Sequence, residues 1–405
     1  YYSRMKDLPD KNQVMGEIAL IESISAFNDL EKMFDCYKRA NEYFNGGTSK
    51  IFNADVIITF GVPLTLFLYQ QQPGSMLRLV ELVENDFEIF NYIANGCGAG
   101  YEFLVRGERE YLVGNFEAAE MAAYKALYKA RAREQHYIVL SASFLLLRLS
   151  ISRGMVKEIE EILLQLMQEV ETLGNPILLS CYEFIVGYVY SYLGKYDQIP
   201  RWLNEGNIRE AKLMAPARNT GYAIVAKILC ERGDYTELEN LCQNLFQLYT
   251  EKHNLIGVIL SLIFECICKY HISGLDEAKP LLEKALKLAE PDDSVTLFAE
   301  HAYELIPILE AINTPFARRI IPIAKRFVEA RKICRSSGRR EIPLTKRECE
   351  VMDLVAEGYT AEAISKILFV SHSTVKKHTA SAYEKLGVNK KADAIAKYKK
   401  MVQKK

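Results

Sequence analysis

Three observations predict an all-α protein, a superhelix of helix pairs with a smaller four-helix module at its carboxyl end. Glycines recur about every forty residues, apolar residues recur at helical spacing on both sides of them, and from Pro343 onward the pattern shortens into brief helices with clear stops. A chain of 405 residues exceeds one ordinary core, so several domains or an extended array is expected.

The glycines are Gly74, Gly114, Gly154, Gly194, Gly233 and Gly274, at spacings of 40, 40, 40, 39 and 41, and the next step lands on Thr314. A fixed period in this range marks a solenoid whose units are helix pairs, none able to bury its apolar face alone. Before Gly154, Ile138, Leu140, Phe144, Leu145, Leu147 and Leu149 supply a strongly apolar first helix. After Gly114, Ala118, Ala119, Ala122, Ala123 and Ala126 offer a small-residue face for close packing. Glycine suits the turn because a helix commonly stops on a left-handed residue. Phe116, Tyr196 and Tyr235, two positions later, are placed to plug the gap within each pair. The logic resembles tetratricopeptide-type repeats, with a longer unit. Such arrays present long concave surfaces, and the clusters Gly98 to Glu102 and Glu300 to Tyr303 are candidates to line a groove, although packing is the commoner role for such aromatics.

The formal net charge of -1 hides an asymmetry. From Arg331 onward 18 bases face 8 acids, and before it 33 bases face 44 acids. A basic end on an acidic body suggests that the end meets a polyanion. Nine cysteines without any CxxC argue against a disulfide framework or a zinc site and for a reducing cytoplasm. The longest apolar run, Val56 to Tyr69, is too short for a bilayer and is broken by Gly61 and Pro63. No secretory signal opens the chain, and its start at Tyr1 rather than Met leads us to expect a piece of something longer. HExxH, GxSxG and Rossmann glycine patterns are absent, and the six histidines do not cluster, so neither catalysis nor a cofactor is expected.

Residues 1–332 are thus expected to form the repeat domain, 333–342 a polar linker, and 343–405 the end module. In that module Thr345 and Glu348 have the spacing of a capping box, with Val351, Leu354 and Val355 facing inward before a stop at Gly358. Thr360 caps a second helix with Ile364, Ile367 and Leu368 inside. After the turn Phe369-Val370, Ser371 caps a third helix, closed by Gly387, whose stripe of Val375, Thr379, Ala382 and Leu386 leaves Lys376, Lys377 and Ala380 outside. Two helices joined by a tight turn, the second carrying outward bases, make a helix-turn-helix for double-stranded DNA.

The stretch from Leu344 to Ile395 resembles the LuxR-type helix-turn-helix. Leu344, Thr345, Arg347, Glu348, Val351, Gly358, Ile364, Leu368, Ser371, Thr374, Val375, Lys376, His378, Lys385, Leu386, Val388 and Ala394 match that pattern, while Ala363, Ser381 and Ala382 depart from it. The resemblance implies that Lys376 and Lys377 approach base edges and that Ser373, Thr374, Lys385 and Lys391 clamp phosphates. Ser371 and Thr360 would lie near the DNA backbone, Ala380 would offer a methyl group, and Ser381 would complete that face. His378 reads as structural or phosphate-adjacent, Tyr383 as packing, dimer or DNA contact, and Lys397, Lys399, Lys400, Lys404 and Lys405 as a solvated end.

Met15 to Asp29 and Gly98 to Arg131 resemble the helical-repeat region of MalT-like regulators, where an ATPase domain precedes the repeats. No GxxxxGK[ST] occurs here, since Gly46-Gly47-Thr48-Ser49-Lys50 has the wrong spacing, so that domain is expected to be absent from this chain. The resemblance implies a transcription activator, with a small-molecule inducer or protein partner at the repeats and a homodimer on DNA. The alternative is an interaction scaffold with an accessory DNA-binding tail.

Overall fold

The computed structural model describes residues 10–337, 344–386, 388 and 391–402, and every regular element among them is helical. The chain divides into a repeat body ending at Arg335 and a terminal unit beginning at Ser336.

The forty-residue period is the period of the helix pairs. Gly114 joins Tyr101–Leu112 to Phe116–Arg131, Gly154 joins His136–Arg153 to Val156–Leu173, and Gly233 joins Ala215–Arg232 to Tyr235–Glu251. Gly274 joins Leu255–Ser273 to Leu275–Ala289, Gly74 precedes Met76–Ile93, and Asn313-Thr314 joins Ala302–Ile312 to Pro315–Ser337. Gly154 has φ +70, and a side chain there would sit 3.2 Å from Ile333. Gly114 has φ +84, and its added carbon would meet Ile323 at 2.9 Å. The final body helix, Pro315–Ser337, therefore crosses successive glycine turns, which leaves no room for a side chain at them. One pair is broken. After Gly194 only short turns, Tyr196–Gln198, Arg201–Asn204 and Ile208–Glu210, stand where the second helix would be. Pro200 lacks the amide that helix would need.

The two helices of a pair are chemically unlike. Val156–Leu173 buries one stripe, Ile159, Leu163, Leu166 and Val170, as an outer helix should. His136–Arg153 is buried on every side, from Ile138 through Ser152. Pro176–Leu193 and Leu255–Ser273, the two helices among the described residues long and apolar enough to cross a membrane, belong to this inner layer and are mostly buried in the stack.

An inner helix buried all round requires that its concave side be covered, and here the expectation of a long open groove is corrected. Two non-repeating segments cross the interior. Around Thr65–Tyr69, the amides of Thr65 and Leu66 donate to Glu108 at 2.8 and 2.7 Å, and Asn254 donates to the Phe67 carbonyl at 2.7 Å. From Asp292 to His301, Glu300 meets Arg148 at 2.8 Å and accepts from the Tyr111 hydroxyl at 2.8 Å. Asp292 accepts from Gln70 and from the amides of Gly74 and Met76, so a carboxylate more than two hundred residues away caps the helix that begins at Met76.

The segment expected as a linker from residue 333 begins as helix and stays so through Ser337, with Cys334 buried and Arg335 bonded to the Tyr192 carbonyl at 3.0 Å and to Glu231 at 2.8 Å. Arg331 also reaches Glu231 at 2.7 Å, so two of the terminal bases belong to the body's own electrostatics. Residues 338–342 lie outside the described residues.

The interior is charged as well as apolar. Burial pushes the Glu300 carboxyl up, but Arg148 and Lys227 outweigh this and hold it below the usual range. Burial, with Lys227 and Arg331 nearby, holds His301 well below its ordinary value, so it is neutral. Burial raises Glu108 to about 7 against the two amides it accepts from.

Removing one member of the Arg148–Glu300 pair leaves a buried charge without its partner. Arg148→Leu is expected to cost about 3–5 kcal/mol in urea unfolding, and adding Glu300→Leu to recover much of that loss. Glu108 sets a pH trend. Its folded carboxyl takes a proton near 7 and its unfolded one near 4.5, so its contribution to stability falls as pH rises through that interval. Urea midpoints measured across this range should show a falling component in the wild type that is missing in Glu108→Gln.

Candidate nucleic-acid interface

From Lys346 the described residues of the terminal unit form four helices, α1 (Lys346–Ala356), α2 (Ala361–Ile367), α3 (His372–Leu386) and α4 (Lys391–Val402). The starts of α1, α2 and α3 follow from hydroxyl caps. Thr345 and Glu348 form the capping box, Thr360 accepts from the Ala363 amide at 3.3 Å, and Ser371 accepts from the Thr374 amide at 3.1 Å. Gly358, with φ +93, follows α1.

Two small cores flank α1 and α3. On one side Val351, Val355 and Ile364 pack with Val375; on the other Met352 packs with Ala382, Leu386, Ala394 and Tyr398. Met352 and Tyr398 are core residues that the sequence reading missed. Tyr398 ties α4 to α1 through its hydroxyl, 2.8 Å from Asp353 and 3.2 Å from the Cys349 carbonyl. Ile367, expected inside, is 43% exposed, because α2 is too short to turn more than Ile364 fully inward. Phe369 in the turn between α2 and α3 is 94% exposed with φ +54, a conformation that nothing in its side chain announces. Arg347 holds that turn from α1, donating to the Leu368 carbonyl at 2.7 Å and pairing with Glu350 at 2.6 Å.

The stripe expected to anchor α3 does so: Val375 and Ala382 are fully buried, Leu386 is buried, and Thr379 is half-buried with its hydroxyl on the Val375 carbonyl. Lys376, Lys377 and Ala380 are exposed on the opposite side. At the start of α3, Ser371 is 2.8 Å from the Ser373 hydroxyl and 2.7 Å from that of Thr374. Three hydroxyls thus gather where the helix presents its free amides and the positive end of its dipole, a place suited to phosphate. Thr360 and Lys391 are exposed at the starts of α2 and α4. The side chain of Lys385, and Gly387, lie outside the described residues.

Two side chains behave otherwise than expected. Ser381 is turned inward: its hydroxyl donates at 2.7 Å to Glu348, whose other oxygen accepts from the Thr345 amide at 2.7 Å. It therefore locks α3 to the cap of α1. Lys397 is no loose end, since its ammonium donates at 2.5 Å to the carbonyl of Leu386, the last residue of α3. A cation there complements the negative end of the helix. Lys399 is exposed, and the side chains of Lys400, Lys404 and Lys405 lie outside the described residues.

Among the described residues no group of three or more His, Cys, Asp or Glu is placed to hold a metal ion, and His378 is half-buried on α3. The unit's chemical resource is instead a rod of 15 residues, roughly 22 Å long, with hydroxyls at its start and two ammonium groups on its outer face.

Residues 342–398 match the luxR family of bacterial regulatory proteins, GerE. The HTH-type transcriptional regulator MalT of Vibrio campbellii is 24% identical over 340 residues, covering 75% of this chain and 36% of that protein. MalT of Vibrio cholerae is 24% identical over 374 residues, covering 82% of this chain and 39% of its own length. The transcriptional regulatory protein DegU of Brevibacillus brevis is 40% identical over 52 residues, 13% of this chain and 22% of that one. The chain thus spans little more than a third of the length of the MalT relatives it matches. The end module, α1 to α4, thus carries the luxR-family match, and the chain is similar to MalT regulators over most of its length.

Proposed function

We propose that this chain is a DNA-binding transcriptional regulator, an activator, whose repeat body senses a small molecule or a protein partner. The observation that carries the DNA half is the division of α3 into a buried stripe and an outer face bearing Lys376 and Lys377. A rod of that length spans a major groove about 12 Å wide with residues to spare at each end.

Seated there, Lys376 and Lys377 reach base edges, where an ammonium pairs with guanine acceptors, and Ala380 offers its methyl group to a thymine methyl. Ser371, Ser373 and Thr374 take a phosphate at the start of α3, and Thr360, Lys385 and Lys391 take flanking phosphates. These contacts set position and make affinity salt-dependent, whereas base contacts set sequence. Ser381 leaves the interface in this reading and acts by holding α3 at its angle to α1. Two modules on paired half-sites, as a homodimer, follow the usual geometry of helix-turn-helix readers. The site of action is the cytoplasm, and activation is the direction that the likeness to MalT-type regulators supports.

Sensing is the role proposed for the body. It is supported by the chemistry of its interior: Lys227 is buried, lies 3.5 Å from Glu231 without a hydrogen bond on its ammonium, and lines a cavity of about 60 Å³ with Arg148, Glu300 and the unpartnered hydroxyl of Thr220. Groups so buried are costly to leave unmatched.

The DNA reading is tested on duplexes selected from random sequence by the full chain. Lys376→Ala and Lys377→Ala should each weaken binding by about 1–3 kcal/mol and relax preference at the bases they read. Lys391→Ala should weaken all duplexes alike and reduce the salt slope by about one. Unchanged affinity and preference in both α3 lysine variants would refute the assigned face.

A further inference from the structure

The body contains a second cavity, distant in character from the charged one. It measures 320 Å³ and is walled by the helices Leu30–Phe44 and Met76–Ile93, the turns from Phe52 to Phe60, Tyr69 and Tyr101. None of the side chains that line it is charged, and none is an amide or a histidine.

Half of the side chains that line it are rings. Tyr37 lies 4.5 Å from Phe90 between centroids, Phe87 stacks on Tyr101 at 4.8 Å, and Phe34 stands 6.4 Å from Phe87. These rings are themselves buried, so the space is narrow and does not admit a folded partner. The polar groups in the wall are few. They are the phenols of Tyr37, Tyr69 and Tyr101 and the hydroxyl of Ser23, which donates to the Leu20 carbonyl at 2.6 Å. At the mouth Ile24 is 49% exposed, and Val56 and Met214 are half-buried.

What sets this space apart from others of similar size in the body is a lining without any charged side chain. Protein interiors are close-packed, with few spaces larger than a water molecule. Water gains little in such a chamber, because it needs several polar partners and the walls offer only hydroxyls. An apolar cavity of about 150 Å³ stays dry and accepts benzene, so a chamber about twice that size admits a molecule of two rings. A charged ligand is excluded by the same walls, since its ion would lose water and gain no counter-charge.

We propose that this chamber is a binding site for an uncharged, largely apolar small molecule of about two rings, carrying at most a hydroxyl or carbonyl group to meet the wall phenols. Offset and edge-on contacts with the surrounding rings provide its selectivity for ringed ligands over alkyl chains. The assignment rests on the reading of the body as a small-molecule sensor and adds to it the class of ligand and the place where it enters. It also gives a role to Tyr101 in the Gly98 to Glu102 cluster, which the DNA-reading function leaves unused.

The test uses the full chain and the neutral two-ring fluorophore 2-naphthol, which carries one hydroxyl group. One saturable site with enhanced, blue-shifted emission is expected, together with a raised thermal midpoint. Val56→Trp, which fills the chamber, and Ile24→Trp, which blocks its mouth at an exposed position, should each weaken binding at least about tenfold, equivalent to about 1.4 kcal/mol. Met121→Trp, on an exposed apolar residue elsewhere, should leave binding unchanged. Circular dichroism establishes that each variant is folded. Absence of saturable binding, equal binding by both folded chamber variants, or equally tight competition by the anionic analogue naphthalene-2-sulfonate overturns the proposal. Affinity for the selected duplex is measured with and without the fluorophore. A chamber that fills while duplex affinity stays constant upholds the site and counts against the sensing reading alone.

Discussion

The body depends on one constraint: the first helix of each central pair is apolar all the way round, so both of its sides must be kept from water. The outer helices cover one side by ordinary amphipathic packing. The other side faces the superhelix axis, and an open solenoid would leave it wet. Here the turns around Thr65–Tyr69 and the segment from Asp292 to His301 cover that side. The covering segments bring polar backbone into an apolar place, and buried polar groups require partners. Glu108, Asn254 and Asp292 supply them, with Arg148 and Glu300 as a closed ion pair. The internal charges are therefore a consequence of closure.

Closure also explains which features could be read from the sequence. The helix pairs and their glycines recur locally, and each of these glycines has a positive φ that other residues rarely adopt, so the period survives as a visible signal. The covering segments occur once each and hold their places through contacts between residues as far apart as Gln70 and Asp292. No periodicity marks them, and the long run from Val56 to Tyr69 is legible only as buried turn. The broken pair had a visible sign in Pro200. The chamber walled by Tyr37, Phe87 and Tyr101 had none, because it is defined by space between elements.

In the terminal unit the caps, the stripe on α3 and the outward lysines were legible because each depends on spacing within a single helix. Ser381, Ile367 and Lys397 were not, because their placement depends on neighbouring helices. Ser381 finds Glu348 across the module, Ile367 falls at the end of a helix of only seven residues, and Lys397 reaches back from α4 to close α3. All three bear on α3, through its angle, the turn before it and its carboxyl end. The functional helix is thus specified by its own sequence for what it presents and by the others for how it is held.

The central claim is that the outer face of α3 is the surface that meets DNA. Hydrogen exchange of the full chain, followed by mass spectrometry with and without the selected duplex, tests it most directly. The account requires slowed exchange in peptides spanning Ser371 to Ser381 when duplex is added. Protection confined to the repeat body, with those peptides exchanging as in the free chain, would contradict it.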